Sequence, residues 1–189
     1  MPGSLESGPA IQAMVNGAGD GSLSGQISFD ALKKNQRAAL PLAGGKVYIA
    51  FDSYTDTDPF HGWLFAYDAS DLKSVPAVFN STPNDSRGGI AESGAAPFSD
   101  VTSSSNVGRN VFIATSDGTP FDPNTGGDYP ETLLKLQINA ATDFSVADSF
   151  TPWNEATFPA GPAVCRSHSG KRKRVRRYAN ELSVFGLLP

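Results

Sequence analysis

The chain contains few of the residue types that most catalytic and metal sites use. It has one cysteine and two histidines in 189 residues. The lone Cys165 cannot form an internal disulfide and has no catalytic context around it, so we interpret it as an incidental thiol. His61 precedes a strand-like run without a serine or cysteine nucleophile in a recognisable elbow, which favours a structural role for its ring.

Long apolar runs are also missing. No window approaches the roughly 18 continuous apolar residues of a transmembrane helix, so we expect no membrane partner. The start, MPGSLESGPA, lacks a basic segment followed by an apolar core, and we expect no secretory signal in the chain as written. The compartment stays open, and the glycosylation sequons at Asn80 and Asn84 matter only if the chain is exported.

Glycine and proline are plentiful, at 19 and 14 residues, and hydrophobic residues make up 39%. This balance is typical of many short strands joined by turns. Lys46–Asp52 and Gly62–Asp68 are rich in β-branched and aromatic residues and are separated by an Asp-, Thr- and Pro-rich loop. Such runs, bounded by turn residues, predict neighbouring β-strands.

The pattern of these strands occurs twice. NVFIATS at 110–116 repeats KVYIAFD at 46–52, TLLKLQI at 132–138 repeats the run at 63–68, and VADSFTP at 146–152 repeats VFNSTP at 78–83. Tyr48 and Phe112 are 64 residues apart, Phe65 and Leu134 are 69 apart, and Phe79 and Phe150 are 71 apart. A small antiparallel sheet cannot bury both faces alone, so a repeat of this length predicts sheets that stack on like neighbours.

We therefore predict an all-β fold, a partial β-propeller of about two antiparallel blades plus part of a third. Residues 1–25 are predicted to form a flexible lead-in and 26–160 the propeller segment. The chain is then a fragment of a longer propeller or a self-assembling partial ring, so its expected partners are further blades or another copy. A two-sheet sandwich is the alternative architecture.

Several blocks in fixed order, among them QRAALPL, KVYIAFDS, HGWLFAYDASDL and VFNSTPNDSRGGIAESG, resemble the PQQ-like β-propeller proteins of the quinoprotein alcohol dehydrogenase-like superfamily. The resemblance covers roughly residues 10–155 and implies a blade array, while relatives with this fold are often exported. Ala91 stands where the family usually has an aromatic residue, and after Thr157 the composition departs from the further blades of the relatives.

The resemblance implies PQQ and calcium only for the complete dehydrogenases. Those relatives hold the quinone with a stacked tryptophan, a disulfide between adjacent cysteines and a calcium ion bound by acidic and amide side chains. One cysteine excludes that disulfide, and no cofactor ligand can be matched residue by residue. We expect no cofactor for this chain alone.

One loop has the alternating oxygen ligands of a calcium site. Asp122, Asn124 and Asp128 alternate around Gly126, and Glu131 follows close by. The loop lacks the distal bidentate glutamate of an EF-hand and supplies about three of the six to eight oxygen ligands that calcium prefers. The alternatives are a weak calcium site and a solvated turn.

The last segment, residues 161–189, carries seven basic side chains and one acidic one, against eight basic and eighteen acidic side chains in the remainder. We place a boundary near Ala160 and predict a disordered or irregular tail, whose composition suggests truncation or a different reading frame. A basic cluster of this kind is typical of nuclear targeting or of phosphate contacts with nucleic acid. The cluster comprises Lys171, Arg172, Lys173, Arg174, Arg176 and Arg177.

The leading functional expectation is a non-catalytic or catalytically incomplete scaffold or interaction module. The first alternative is a fragment of a quinoprotein-type oxidoreductase whose other blades are absent from this chain. The second alternative is a nucleic-acid-associated protein that binds through the basic tail.

Overall fold

The computed structural model describes residues 10–92, 95–99, 109–119, 126–140 and 142–153, and these residues form an all-β fold, as predicted. They include eleven strands: β1 (Met14–Asn16), β2 (Gln26–Ser28), β3 (Lys34–Asn35), β4 (Leu42–Ala43), β5 (Lys46–Ser53), β6 (Trp63–Asp68), β7 (Ala77–Asn80), β8 (Phe98–Ser99), β9 (Arg109–Ala114), β10 (Leu133–Ala140) and β11 (Asp143–Phe150). One 3-10 turn, Ala31–Lys33, precedes β3. No helix long and apolar enough to cross a membrane occurs among these residues.

The strands form two sheets. β1 and β2 pair antiparallel in a separate N-terminal hairpin, with Val15 opposite Ile27. The other nine strands form one sheet in the order β3-β5-β6-β7-β11-β10-β9-β8, with β4 also paired to β5. This sheet curls into an open half-barrel.

Turn chemistry sets the start of the large sheet. Gly44 and Gly45 join β4 to β5, and both have positive φ, 54° and 75°. Ala43 pairs with Lys46, so the loop has two residues. Two successive positive φ angles define the type I′ turn, whose twist matches that of the flanking strands and which glycine adopts without steric cost.

The sequence repeat corresponds to a repeated arrangement of strands. We call β4–β7 the first unit and β8–β11 the second unit; each is a four-stranded antiparallel meander. The two units meet at their last strands, β7 and β11, which are equivalent in the repeat and run parallel, with Val78 opposite Asp143. The predicted correspondence of Lys46–Asp52 with Asn110–Ser116 thus places each run on the second strand of its unit.

The main hydrophobic core lies between the faces of the two units. It contains Tyr48, Ala50, Leu64, Ala66, Ala77 and Phe79 from the first unit, and Val111, Ile113, Leu134, Leu136, Ile138 and Phe144 from the second. All of these are at most 9% exposed. Each unit therefore buries one sheet face against the other, which neither sheet could do alone.

A second core covers the other face of the first unit. Phe29, directly after β2, contacts Phe51, Trp63 and Phe65 edge-on at centroid distances of 5.0, 5.7 and 5.1 Å. We define the hairpin-covered face by the residues of the first unit in this cluster: Ile49, Phe51, Trp63, Phe65, Tyr67 and Val78. The molecule thus has three layers: the hairpin, the first unit and the second unit.

The N-terminal segment differs from the predicted flexible lead-in over 1–25. β1 lies inside that range, and Ile11, Ala13 and Val15 pack against the second core. The reason is a period-2 apolar pattern, short enough to be missed among glycine and serine, that gains its burial from an aromatic face distant in sequence. The predicted tail, 161–189, and the boundary near Ala160 lie outside the described residues.

Candidate functional site

The outward side of the second unit carries exposed and half-buried side chains. Side chains alternate along a strand, so Val111 and Ile113 face the first unit while Phe112 faces away. Cross-strand pairing puts Phe98, Lys135 and Asp148 in one row with Phe112. We define the open face by these exposed or half-buried residues: Phe98, Asn110, Phe112, Lys135, Gln137 and Asp148.

The open face combines aromatic, amide and charged groups. Phe98 is 56% exposed and stacks on Phe112 at a centroid distance of 5.6 Å. Lys135 Nζ lies 6.0 Å from the centre of the Phe112 ring, at the outer limit of a cation–π contact. Gln137 Nε2 donates a hydrogen bond of 3.1 Å to Asn110 Oδ1. Interfaces between proteins are enriched in aromatic residues and depleted of Lys and Asp, and the open face contains residues of both kinds.

The repeat relates the open face to a buried one. Tyr48 and Ala66 occupy, in the first unit, the places of Phe112 and Lys135 in the second, by the offsets of 64 and 69 residues. Tyr48 and Ala66 are both 0% exposed in the core between the units. The two units therefore use equivalent faces differently. The first unit packs this face against the second unit, whereas the second unit exposes it.

The other two faces of the units, opposite those that carry Tyr48 and Phe112, are also equivalent in the repeat but have different environments. Leu134 and Leu136 of the second unit pack against the first unit. By the 69-residue offset their equivalents are Phe65 and Tyr67, which lie on the hairpin-covered face. The units therefore pack head-to-tail, each using a different face toward each neighbour, and such a contact can be repeated by a further unit.

A buried polar layer lies at one end of both units. It is formed where β5, β7 and β9 end and where β6 and β10 begin, by Asp52, Ser53, His61, Asn80, Ser81, Thr82, Thr115, Ser116, Glu131 and Thr132. Polar groups in such a layer need hydrogen-bond partners, and several come from backbone. Thr115 Oγ1, for example, donates to Tyr129 O at 2.6 Å.

A connecting segment, Arg87–Ala91, joins the two units at this end. Arg87 N donates to Phe60 O at 2.7 Å on the first unit, and Gly88 N donates to Asp117 O at 2.9 Å on the second. Gly89 O accepts from Ser116 N at 2.7 Å. A Cβ at Gly89 would lie 1.6 Å from Asp52 Oδ1, so only glycine allows the segment to pass this carboxylate.

His61 links the hairpin loop to the end of β7. Its Nε2 donates to Asp20 O at 2.8 Å, since a carbonyl only accepts, and its Nδ1 lies 3.0 Å from Thr82 Oγ1. Burial lowers the pKa of the ring and favours the neutral form. Lys34 Nζ donates to His61 O at 2.7 Å, and burial lowers the pKa of Lys34 to about 8. Both ring nitrogens are thus engaged within the chain, consistent with a structural role.

Two carboxyl groups have the pKa values of general acids or bases. Burial raises the pKa of Asp52 to about 6 and that of Glu92 to about 7. Asp52 Oδ1 accepts from Ser53 N at 2.7 Å, and Glu92 Oε1 accepts from Ala114 N at 2.9 Å. Sequence reasoning identified neither as a buried acid, because their burial depends on contacts between segments far apart in the chain.

A small cavity of about 200 Å³ lies between the hairpin and the loop before β6. Its lining includes Asp20, Asp30, Lys34, Phe60 and His61. Asp52 and Glu92 are not part of this lining. The Lys34 ammonium group, which is part of the lining, interacts electrostatically with the Asp52 carboxylate.

The predicted calcium loop is only partly described. Asp122 and Asn124 lie outside the described residues, whereas Asp128 Oδ1 accepts from Asn84 N at 2.8 Å. Burial raises the pKa of Asp128. Within the described ranges, no group of three or more His, Cys, Asp or Glu residues could hold a metal ion. The basic cluster 171–177 also lies outside these ranges.

Comparison with protein-family models found no matching family. Neither curated proteins nor solved structures gave a match to the chain. The resemblance to PQQ-like propellers therefore stays a prediction from the sequence.

Proposed function

We propose that this chain is a propeller-type repeat segment that acts as a non-catalytic scaffold or interaction module. The observation that carries the proposal is the head-to-tail relationship of the two units. Phe112 on the open face takes the place that Tyr48 occupies in the core between the units. The open face is, in this proposal, the docking surface for a further sheet of the same kind.

The geometry of the stack supports this proposal. Units that are related by rotation about a common axis bring equivalent strands side by side in parallel, and β7 and β11 meet in this way. Propeller blades stack radially through unlike faces, and each blade depends on its neighbours for burial. In this proposal the N-terminal hairpin, which packs on the first unit, corresponds to part of a third blade.

The polar groups support a structural role over catalysis. The ring nitrogens of His61 contact Asp20 and Thr82, and the carboxyl groups of Asp52 and Glu92 accept backbone hydrogen bonds. These contacts tie loops to strand ends. Titration of the full chain with PQQ and calcium, followed by absorbance and dye reduction, tests this part: we expect neither saturable binding nor turnover, and saturable binding with turnover would overturn it.

Docking at the open face can be tested with a photo-crosslinker. Phe112 is replaced by p-benzoylphenylalanine in the full chain, and the matched control carries the same residue in place of Leu42, which is 69% exposed on β4. We expect the crosslinker at position 112 to form adducts, in cells, with β-strand residues of a like repeat, whereas the control should not. Equal adducts from both positions, or adducts that do not lie on strands, would contradict docking.

A further inference from the structure

We propose that the N-terminal hairpin is a displaceable cap, and that the hairpin-covered face binds the open face of a second copy of this chain when the hairpin moves away. This inference rests on the proposed function, because it names the partner of the open face. It adds a second docking surface, which is hidden while the hairpin is seated.

The two surfaces complement each other because the core between the units already joins their equivalents. Tyr48 of the first unit and Leu134 and Leu136 of the second belong to that one core. The open face carries Phe112 in the place of Tyr48, and the hairpin-covered face carries Phe65 and Tyr67 in the places of the two leucines. A second copy that presents its open face to the uncovered first unit would therefore bring together the equivalents of two surfaces that already pack in the fold, with Lys135 in the place of Ala66.

The hairpin is attached by few polar contacts. β1 and β2 form their own two-stranded sheet and share no strand pairing with the nine-stranded sheet. Backbone hydrogen bonds join Gly19 N to Pro83 O at 2.9 Å and Asp20 N to Asp85 O at 2.8 Å, Ala18 N donates to Asn84 Oδ1 at 3.3 Å, and the His61 ring donates to Asp20 O. The remaining attachment is side-chain packing, which another apolar surface can supply equally well.

The hairpin also leaves polar groups of the covered face unsatisfied. Trp63 and Asn80 face each other across β6 and β7 and are 0% and 6% exposed. Among the described residues, Trp63 Nε1 and Asn80 Nδ2 find no hydrogen-bond partner. Buried donors without acceptors destabilise the covered state, so the hairpin is an imperfect cover for this face.

The equivalent pair in the second unit is satisfied. The offsets of 69 and 71 residues relate Trp63 to Thr132 and Asn80 to Thr151. Thr132 Oγ1 lies 2.7 Å from Thr151 Oγ1 and also contacts Pro130 O at 2.6 Å. The polar pair is thus hydrogen-bonded in the second unit, which packs on the first unit, and lacks these hydrogen bonds in the first unit, which packs on the hairpin. This difference agrees with a hairpin that another surface can replace.

A variant of the full chain can unseat the hairpin without touching either docking face. A Cβ at Gly19 would lie 2.4 Å from Asp85 O and 2.9 Å from Pro83 O, both backbone atoms, so Gly19→Val must shift the hairpin loop. The matched control is Ser28→Val, which adds the same side chain at an exposed position of β2. In sedimentation velocity we expect Gly19→Val to self-associate roughly tenfold more tightly than the control.

Mixing experiments identify the two surfaces. A Gly19→Val/Phe112→Lys double variant has a loosened hairpin and a blocked open face, so it should be monomeric alone. Wild type supplies an open face but keeps its hairpin seated. The mixture should form a dimer of one copy of each and no longer chains, because each partner offers one surface. A mixture that stays monomeric while circular dichroism shows a folded double variant would overturn the inference.

A second measurement covers the case in which Gly19→Val fails to fold. Purified chain with p-benzoylphenylalanine in place of Phe112 and an otherwise wild-type sequence is irradiated at high concentration, and intermolecular adducts are mapped by mass spectrometry. Adducts on Trp63 or Phe65 of a second copy support the inference, and their absence contradicts it. If cellular adducts from position 112 still map to strands of a different repeat protein, only this inference fails, and the proposed function stands.

Discussion

Tyr48 and Phe112 occupy the same place in two repeated sheets, yet Tyr48 is fully buried between them and Phe112 forms a half-buried stack with the exposed Phe98. The pair shows that the stack of units is directional. A surface that is interior for one unit is exterior for the next, and this asymmetry is the physical basis of the proposed docking.

The two aromatic residues should therefore differ in their contribution to stability. Tyr48→Ala should reduce the free energy of unfolding by about 3–5 kcal/mol, because it leaves a cavity in the core between the units. Phe112→Ala, at a half-buried position, should cost about 1 kcal/mol. Urea unfolding measures both, and equal losses would show that the two positions are not in different environments.

Gly89 should tolerate no side chain while Asp52 is present. Gly89→Ala puts a Cβ into the Asp52 carboxylate, which must move out of its buried position. We expect a loss of about 2–4 kcal/mol, of which a large part should be recovered when Asp52→Ala is added. A double-mutant cycle measured by chemical unfolding gives the coupling, and strictly additive losses would rule out the contact.

The contribution of Asp52 to stability should fall as pH rises from 4 to 8, whereas the contribution of the buried neutral His61 has the opposite sign. The folded-state pKa of Asp52, about 6, lies above its ordinary value of 3.8 because burial disfavours the carboxylate. The stabilising contribution of the protonated form is complete below about pH 4 and is lost as pH rises through about 6. Asp52→Asn keeps an acceptor for Ser53 N and should remove about 2–3 kcal/mol of this pH dependence.

Urea midpoints at pH 5 and pH 8 measure this effect. Glu92→Gln is a second case, because the pKa of Glu92 is raised by burial to about 7. Glu92→Gln should reduce the dependence of stability on pH near pH 7. Profiles parallel to that of the wild type for both variants would mean that neither carboxyl group is protonated preferentially in the folded state.

Lys135 should limit association through the open face. It stands where the first unit has the buried Ala66, so Lys135→Ala makes the open face more like the face that packs between the units. Light scattering should show association beginning at a lower protein concentration than in wild type. Lys73→Ala, the same change at an exposed loop position, is the control, and identical behaviour of both variants would argue against the role of the face.

The strong strands could be predicted from the sequence because their signals are local. β5, β6 and β9 are rich in β-branched and aromatic residues and β10 in leucine, and these runs correctly predicted strands of an all-β fold. The hairpin strand β1 could not be predicted in this way. Its few apolar residues form a strand because Phe65 and its aromatic neighbours, some 50 residues later, provide a surface to cover.

The directional packing and the burial of the carboxyl groups also could not be predicted from the sequence. An offset of 64 residues shows that Tyr48 and Phe112 are equivalent, but alternation alone does not reveal which face of each sheet is turned inward. Asp52 and Glu92 are buried by the connecting segment and by β9, contacts that no local spacing encodes. The polar layer is thus a product of tertiary structure.

Photo-crosslinking from position 112 of the full chain tests the central claim most directly. Adducts confined to strand residues of a like sheet, with none from the Leu42 control, are what head-to-tail docking requires. If position 112 yields only solvent-quenched product, or the same scattered adducts as position 42, then the outward face of the second unit is an ordinary surface and the proposed docking is wrong.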